Sequence, residues 1–283
     1  MTDSSGMNEA LRLSQSPEGA VADLSLTFSN APMSLPAERG GPLGGLLAGL
    51  AVEAARRQLS LQAPLQSLSM QFMAPARFAP IAFRAQRVRG GRSIAYVAID
   101  GVQGRRQVIA AQALFSIDAE GPAMAPLLRA PPTPVETLSS DDRQDGSFPY
   151  FSRHFEYRFE QASRLGCGEP PAFEQVWMRA RDAAPLDEAR LCALLDAIYP
   201  TFLTSFTGPA PVAVTTGLHY EILAPLTAAT APDGWTFVTF TTQHLGAGWA
   251  VEDAVAYDRN GTPLALARQR RKLIAEPSGS AAP

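Results

Sequence analysis

The chain carries the same short patterns twice, in the same order, and that repetition constrains its fold more than any other feature. The run Leu68-Ser69-Met70-Gln71-Phe72-Met73-Ala74-Pro75 alternates in character and stops at a proline. The run Leu218-His219-Tyr220-Glu221-Ile222-Leu223-Ala224-Pro225 does the same 150 positions later. Gly91 and Gly104 enclose a β-rich stretch, and Gly248 and Gly261 enclose another of equal length, now 157 positions on. Eight residues beyond the second glycine of each pair stands a glutamine, Gln112 and Gln269, inside a closing apolar strand. The change of offset needs only a short insertion, placed near Ala228–Gly234 where the composition reads as a loop. Patterns kept in order at a nearly fixed spacing indicate an internal duplication, each copy one structural unit.

Each half has one helical pattern followed by strands. Leu43, Leu46, Leu47, Leu50, Ala51 and Ala54 recur at helical spacing and predict an amphipathic helix with one apolar face. Gly44, Gly45 and Gly49 cost helix propensity there, which points to close approach of the backbone to a neighbouring sheet. In the second half Pro185 and the acids Asp187 and Glu188 mark a helix start, and Leu191–Tyr199 continues it, apolar nearly all round. About four strands are expected after each helix, joined by turns such as Asp258-Arg259-Asn260-Gly261. One helix with an antiparallel sheet, occurring twice, is an α+β architecture. The boundaries read as a polar tail over 1–20, a first repeat over 21–118, a Pro/Ser/Asp-rich linker over 119–147, a second repeat over 148–275 and a tail over 276–283.

Composition narrows the function. A net charge of −3 with a pI near 5.7 gives no electrostatic footprint for nucleic acid. Cys167 and Cys192 are too few for a disulfide scaffold and lack metal-ligand spacing, so both read as buried thiols. The polar start Met1–Gly6 leads into no signal-peptide core and no apolar run is long enough to span a bilayer, so a cytoplasmic protein is expected. No Gly-x-Ser-x-Gly elbow, His-Glu-x-x-His or Cys-x-x-Cys occurs. Gly40-Gly41-Pro42-Leu43-Gly44-Gly45 lacks the ending of a phosphate loop and is better explained by helix packing. His154, His219 and His244 form no recognisable triad.

Asp196 is the most informative single residue. It is the only charge between Leu191 and Phe206, on a helix that reads as buried on most sides. Burying an unpaired carboxylate costs several kcal/mol, so it is hydrogen-bonded, raised in pKa or facing a wet cavity, unless it simply sits on the helix surface near the end of the element. Two arginine clusters also stand out. Arg268-Gln269-Arg270-Arg271-Lys272 lies in a strand near the C-terminus, and Arg87, Arg89 and Arg92 flank Gly90-Gly91. A charged, solvated edge strand accounts for them, and so does a landing site for ligand phosphates.

Taken in order, these motifs resemble the acyl-CoA thioesterase II-like (TesB-like) family, whose members fuse two hot-dog folds in one chain. The resemblance runs from about Ala22 to Ala275. In the first half it rests on Leu68–Ala76, similar to the family's strand ending in Phe-x-x-Pro, and on Arg89-Gly90-Gly91-Arg92-Ser93, similar to its Arg-x-Gly-Arg-Ser turn. In the second it rests on Asp233-Gly234-Trp235, the Tyr257–Gly261 turn and Leu264-Ala265 before the glutamine. The resemblance implies a double hot-dog fold and three catalytic residues in the second repeat. Asp196 matches the family's helix aspartate, Thr216 the threonine that opens Thr-x-x-His, and Gln269 the late-strand glutamine. Two departures stand out: Arg270-Arg271 follows the glutamine where the family's better-characterised enzymes usually have Glu-Gly, and Gly217-Leu218 replaces a more polar segment. The first repeat keeps Gln112 but has no helix acid opposite it, which implies one working site per chain.

The implied reaction is hydrolysis of an acyl-CoA thioester, without a cofactor or metal. Thr216 and Gln269 would hold a water and Asp196 would accept its proton, while backbone N–H groups near a helix N-terminus meet the oxyanion. Arg92, Gly45 and His219 are the expected substrate contacts, and an apolar slot between helix and sheet would take the acyl chain. The resemblance also implies homo-oligomers and a place in lipid metabolism. Three other readings compete. A non-catalytic acyl-CoA or lipid-binding protein would keep the fold while its site has drifted. A hot-dog dehydratase would need a catalytic histidine in a pattern that is missing here, and nothing singles out a purely structural oligomer subunit.

Overall fold

The alternating runs found in duplicate lie side by side at the centre of a single antiparallel sheet. The computed structural model describes residues 6–17, 19–91, 93–117, 132–141, 146–208 and 211–274. In chain order the first half forms α1 (Met7–Ala10), β1 (Ser14–Ser16), β2 (Gly19–Ala22), α2 (Gly44–Leu59), β3 (Leu65–Phe72), β4 (Ile81–Gly90), β5 (Ile94–Gln103) and β6 (Arg106–Ser116). The second half forms β7 (Phe155–Phe159), β8 (Phe173–Ala180), α3 (Glu188–Leu194), β9 (Val212–Ile222), β10 (Thr236–Gly246), β11 (Trp249–Tyr257) and β12 (Pro263–Ile274). The sheet order is β1-β2-β4-β5-β6-β3-β9-β12-β11-β10-β8-β7. Read outward from the β3–β9 seam, each half lists its strands in the same topological sequence, as an internal duplication requires. Four strands follow each helix, as the pattern predicts, and two more before each helix also join the sheet, giving six per half among the described residues.

The two helices pack antiparallel against each other on the sheet. On α2, the run Gly45–Val52 is buried throughout, because α3 covers the side that the sheet leaves free. The glycines explain the fit, though the backbone they approach belongs to α3 and not to the sheet. A Cβ on Gly45 would stand 2.5 Å from the Cys192 carbonyl oxygen, and one on Gly49 would stand 2.6 Å from that of Ala189. Helix α3 starts as read from sequence, with the Asp187 carboxylate accepting the Arg190 N–H at 2.8 Å. It ends earlier than the apolar run suggests. After Leu194 the chain tightens, Asp196 N–H reaching back only to Ala193 and Ala197 N–H to Leu194, and Pro200 forbids helix at the residue before it. Asp196 therefore sits in the turn just beyond α3.

Several other expectations change. Residues 1–20 do not read as a tail where they are described: Met7, Leu11 and Leu13 are buried and β1 and β2 extend the sheet. That anchoring depends on three scattered apolar residues, too short a pattern to show periodicity. Within the expected linker, residues 132–141 pack on the second repeat, with Val135 buried beside Trp177, Trp235 and Phe237. The rest of the linker, apart from residues 146 and 147, and the tail at 276–283 lie outside the described residues. Strand β12 is no edge; it runs between β9 and β11. Cys192 is buried but Cys167 is exposed, in a loop where its Sγ meets the Thr204 carbonyl at 3.2 Å. Gln112 is exposed, and register explains why. Leu68 pairs with Ala113 just as Leu218, its counterpart in the duplicated run, pairs with Gln269, so Ala113 holds the place that Gln269 holds in the second repeat. No helix among the described residues is long and apolar enough to cross a membrane.

Candidate active site

Four elements deliver polar groups to one buried spot. The turn after α3 supplies Asp196, the start of α2 supplies the Gly45 N–H, β11 supplies Glu252, and β12 supplies Gln269 and Arg271. The alternation of β12 puts Ala267, Gln269 and Arg271 on its buried face and Arg268 and Arg270 on the exposed one. The same alternation on β11 turns Glu252 inward in the phase of Ala250, Ala254 and Ala256.

Asp196 Oδ2 accepts the Gly45 N–H at 2.7 Å, a bond from the first turn of a 16-residue helix whose dipole favours an anion there. Asp196 Oδ1 faces Arg271 Nη2 at 3.5 Å. The Arg271 guanidinium is used on every side: Nε pairs with Glu252 Oε2, Nη1 donates to Thr215 Oγ1 at 2.7 Å, and Nη2 also donates to Gln269 Oε1. Gln269 Nε2 donates to the Leu195 carbonyl at 3.2 Å. Glu252 Oε1 takes the Thr201 hydroxyl at 2.8 Å and the Thr201 N–H. A cavity of about 10 Å³ adjoins this cluster, lined by Tyr199, Thr201, Phe240, Glu252, Gln269 and Arg271 among others. That is roughly the space one water needs.

Burial raises the Asp196 carboxyl above its ordinary pKa of 3.8; Arg271, the Gly45 N–H and Gln269 pull it down, and Glu252 adds to the rise. Arg271 is also perturbed: burial works against its charge, but Glu252 and Asp196 outweigh burial and raise its pKa. Two carboxylates thus share one buried cation, an arrangement tolerable only because each charge has partners.

The structure brings Asp196 and Gln269 together. The Thr216 hydroxyl instead donates to the Arg270 carbonyl at 3.0 Å. Thr216 is the extra residue of a β-bulge: Gly217 pairs with Arg270 and Thr215 pairs with Arg271, leaving Thr216 without a register partner on β12. The bulge turns Thr215 toward the guanidinium. Gly45 contributes its N–H to Asp196. His219 is exposed and bonds Glu221 at 2.8 Å, on the opposite face of β9 from buried Leu218 and Tyr220. Arg92 lies outside the described residues. Sequence reasoning missed Thr215 and Glu252. Glu252 carried a signal, an acid in phase with the alanines of an alternating strand; Thr215 carried none, because a bulge reverses the phase without a sequence mark. In the first repeat the matching positions are apolar: Val97 faces Ala113 as Glu252 faces Gln269, and Phe115 is buried two residues on, where β12 has Arg271.

Comparison with known proteins gives a consistent result. Residues 32–116 match the family described as acyl-CoA thioesterase N-terminal domain, and residues 131–270 match the acyl-CoA thioesterase C-terminal domain. No curated protein sequence matches the chain. Among solved structures, a conserved hot dog fold protein of unknown function from Alicyclobacillus acidocaldarius aligns with a TM-score of 0.83 at 20% identity, covering 95% of this chain and 98% of that one. The acyl-CoA thioesterase II TesB2 of Mycobacterium marinum aligns with a TM-score of 0.69 at 19% identity, covering 98% and 99%. The dehydratase domain of PpsC from Mycobacterium tuberculosis, solved with C12:1-CoA, aligns with a TM-score of 0.52 at 13% identity, covering 94% and 99%. The fold is the double hot-dog α+β architecture, and at such identities the structural likeness shows fold alone.

Proposed function

The chain belongs to the acyl-CoA thioesterase family, and on that premise we propose that it hydrolyses an acyl-CoA thioester by direct attack of water in the second repeat. The observation that carries this reading is the buried Asp196 carboxylate, held by the Gly45 N–H at 2.7 Å beside Gln269. A buried carboxylate with a raised pKa is a stronger base than a solvated one and takes a proton from water more readily. The water oxygen adds to the thioester carbonyl carbon while its proton passes to Asp196. The tetrahedral intermediate then collapses, the C–S bond breaks, and the thiolate takes the proton back from Asp196 to leave a carboxylic acid and CoA. Gln269 orients the water through its amide. Thr216 serves the site through β12: its hydroxyl holds the Arg270 carbonyl between Gln269 and Arg271, so that both side chains stay on the buried face.

A second reading rests on Arg271. Its guanidinium occupies the Gln269 amide and faces Asp196, as expected of a site that has kept the fold and acyl-CoA binding but lost turnover. Thiol release across a panel of acyl-CoA chain lengths separates the two. Turnover by the wild type that falls at least a hundredfold in Asp196→Ala and Gln269→Ala, and severalfold in Thr216→Val, supports hydrolysis. Binding without turnover at any chain length supports the second reading.

A further inference from the structure

We propose that Arg271 is a positioning residue for this site: it fixes which way round the Gln269 amide stands and supplies the positive charge that faces Asp196, with Glu252 as its counterweight. The inference rests on the hydrolytic reading given above. It starts from the amide. Gln269 presents one acceptor and two donors, and a flip would exchange them. Arg271 Nη2 donates to Oε1, and a guanidinium can only donate, so the oxygen end is fixed on the arginine side. The Nε2 end then lies on the other side, where it donates to the Leu195 carbonyl next to Asp196. With Arg271 in place a flipped amide would set donor against donor at the guanidinium as well as acceptor against acceptor at the Leu195 carbonyl; without Arg271 only the second clash opposes the flip.

Charge sets the second constraint. Asp196 is buried, and Arg271 is the cation that faces it, with Nη2 at 3.5 Å from Oδ1. The other titratable groups facing this carboxylate are Glu252 on β11, through the shared guanidinium, and Tyr220 on β9, whose hydroxyl donates to the Cys192 carbonyl; α2 contributes the uncharged Gly45 N–H. Arg271 itself is fixed by Glu252 and Thr215, so its charge cannot swing away. Lysine cannot reproduce this, because a single ammonium lacks the planar fork that reaches Glu252, Thr215, Gln269 and Asp196 together. The first repeat, with Phe115 and Ala113 in these places, has neither half of the device.

The test is the pH dependence of kcat/KM for Arg271→Met, Arg271→Lys and Glu252→Gln. Attack requires ionised Asp196, so activity rises through its pKa. Arg271→Met is expected to move that acid limb upward by about 1 pH unit or more, the scale of losing one close opposite charge. Glu252→Gln is expected to move it downward, because a neighbouring anion is lost. Arg271→Lys is expected to keep the limb nearer wild type while kcat falls about tenfold or more with KM little changed, since charge survives and the amide lock does not. A merely structural arginine would lower activity in all three without opposite movements of the limb, and that result overturns the proposal. If Arg271→Met does not fold, Arg271→Met/Glu252→Gln removes both buried charges, and its limb is expected above that of wild type; a limb at or below wild type overturns the inference. If the wild type turns over no acyl-CoA, the hydrolytic reading fails by itself. The Asp196 carboxyl is then titrated by carbon-13 NMR in wild type and the double variant, where an unchanged midpoint overturns the electrostatic role and an upward shift sustains it.

Discussion

A carboxylate whose pKa is raised by burial costs the folded state stability, and Asp196 is such a residue. The sign follows from proton counting. Above the ordinary value of 3.8 the unfolded chain has released the Asp196 proton while the folded chain still holds it, so this residue's contribution to stability falls as pH rises and is lowest once the folded carboxyl has ionised. Asparagine keeps an oxygen for the Gly45 N–H and carries no charge to bury, and Arg271 retains Glu252. Asp196→Asn is therefore expected to lose turnover while its stability, measured by denaturant unfolding, gains on the wild type as pH is raised from 4 to 8. A difference that stays constant over that range would show that the carboxyl is not perturbed by folding. The expectation matches the general trade between stability and activity at built sites. Asp196 was legible in the sequence because a lone acid in an apolar run must be accounted for. Its partners were less so, since Glu252 and Arg271 each looked like one more charge on a strand.

At the scale of elements, what was legible followed periodicity. The alternation of Leu218–Ile222 and the helical spacing of Leu43–Ala54 both became the elements they predict. What was not legible depended on neighbours. A basic run such as Arg268–Lys272 reads as an edge, yet β12 is flanked on both sides: Arg268 pairs with Asp253, Arg270 and Lys272 lie over the Trp249 ring, and of the basic residues only Arg271 turns inward, beside Gln269. Likewise Gly45 and Gly49 announce a close approach without saying to what. Their contact with the α3 backbone gives a prediction in two parts. Alanine at either position must push α2 and α3 apart, because its Cβ would meet carbonyl oxygens inside 2.7 Å, and overpacking of this kind costs about 1–3 kcal/mol. Gly45→Ala and Gly49→Ala should both lower the denaturant midpoint, whereas Gly91→Ala, with open space around the Cβ, should not. Only Gly45→Ala should also depress kcat, because its Cβ would stand 2.8 Å from that of Asp196 and its own N–H holds the carboxylate. Equal loss of activity in both helix variants would mean that the helix crossing acts on the site as a whole.

At the scale of the molecule, the duplication was legible because two copies of one topology leave two copies of its turn and strand signals. The asymmetry between the copies was not, since it depends on register: counting from the glycine pairs selects Gln112, while the ladder selects Ala113. That asymmetry makes the repeats interdependent. The second repeat owns Asp196, Gln269 and Arg271, but the N–H that holds Asp196 comes from α2 of the first, and the Glu188 carboxylate of α3 is used by Arg56 and the Leu65 N–H. Their central strands β3 and β9 are also each other's neighbours, so separation exposes one unpaired strand edge on each. Neither half should then fold alone. Fragments cut within the Pro-rich connection, 1–117 and 132–283, are expected to show no cooperative unfolding when expressed singly and to bind one another when expressed together. The reassociated pair should recover the unfolding transition and, if Asp196 is the base, the thioesterase activity. A second-repeat fragment that folded and turned over substrate unaided would show that the α2 N–H is dispensable, because the carboxylate would then be held by the second repeat's own groups.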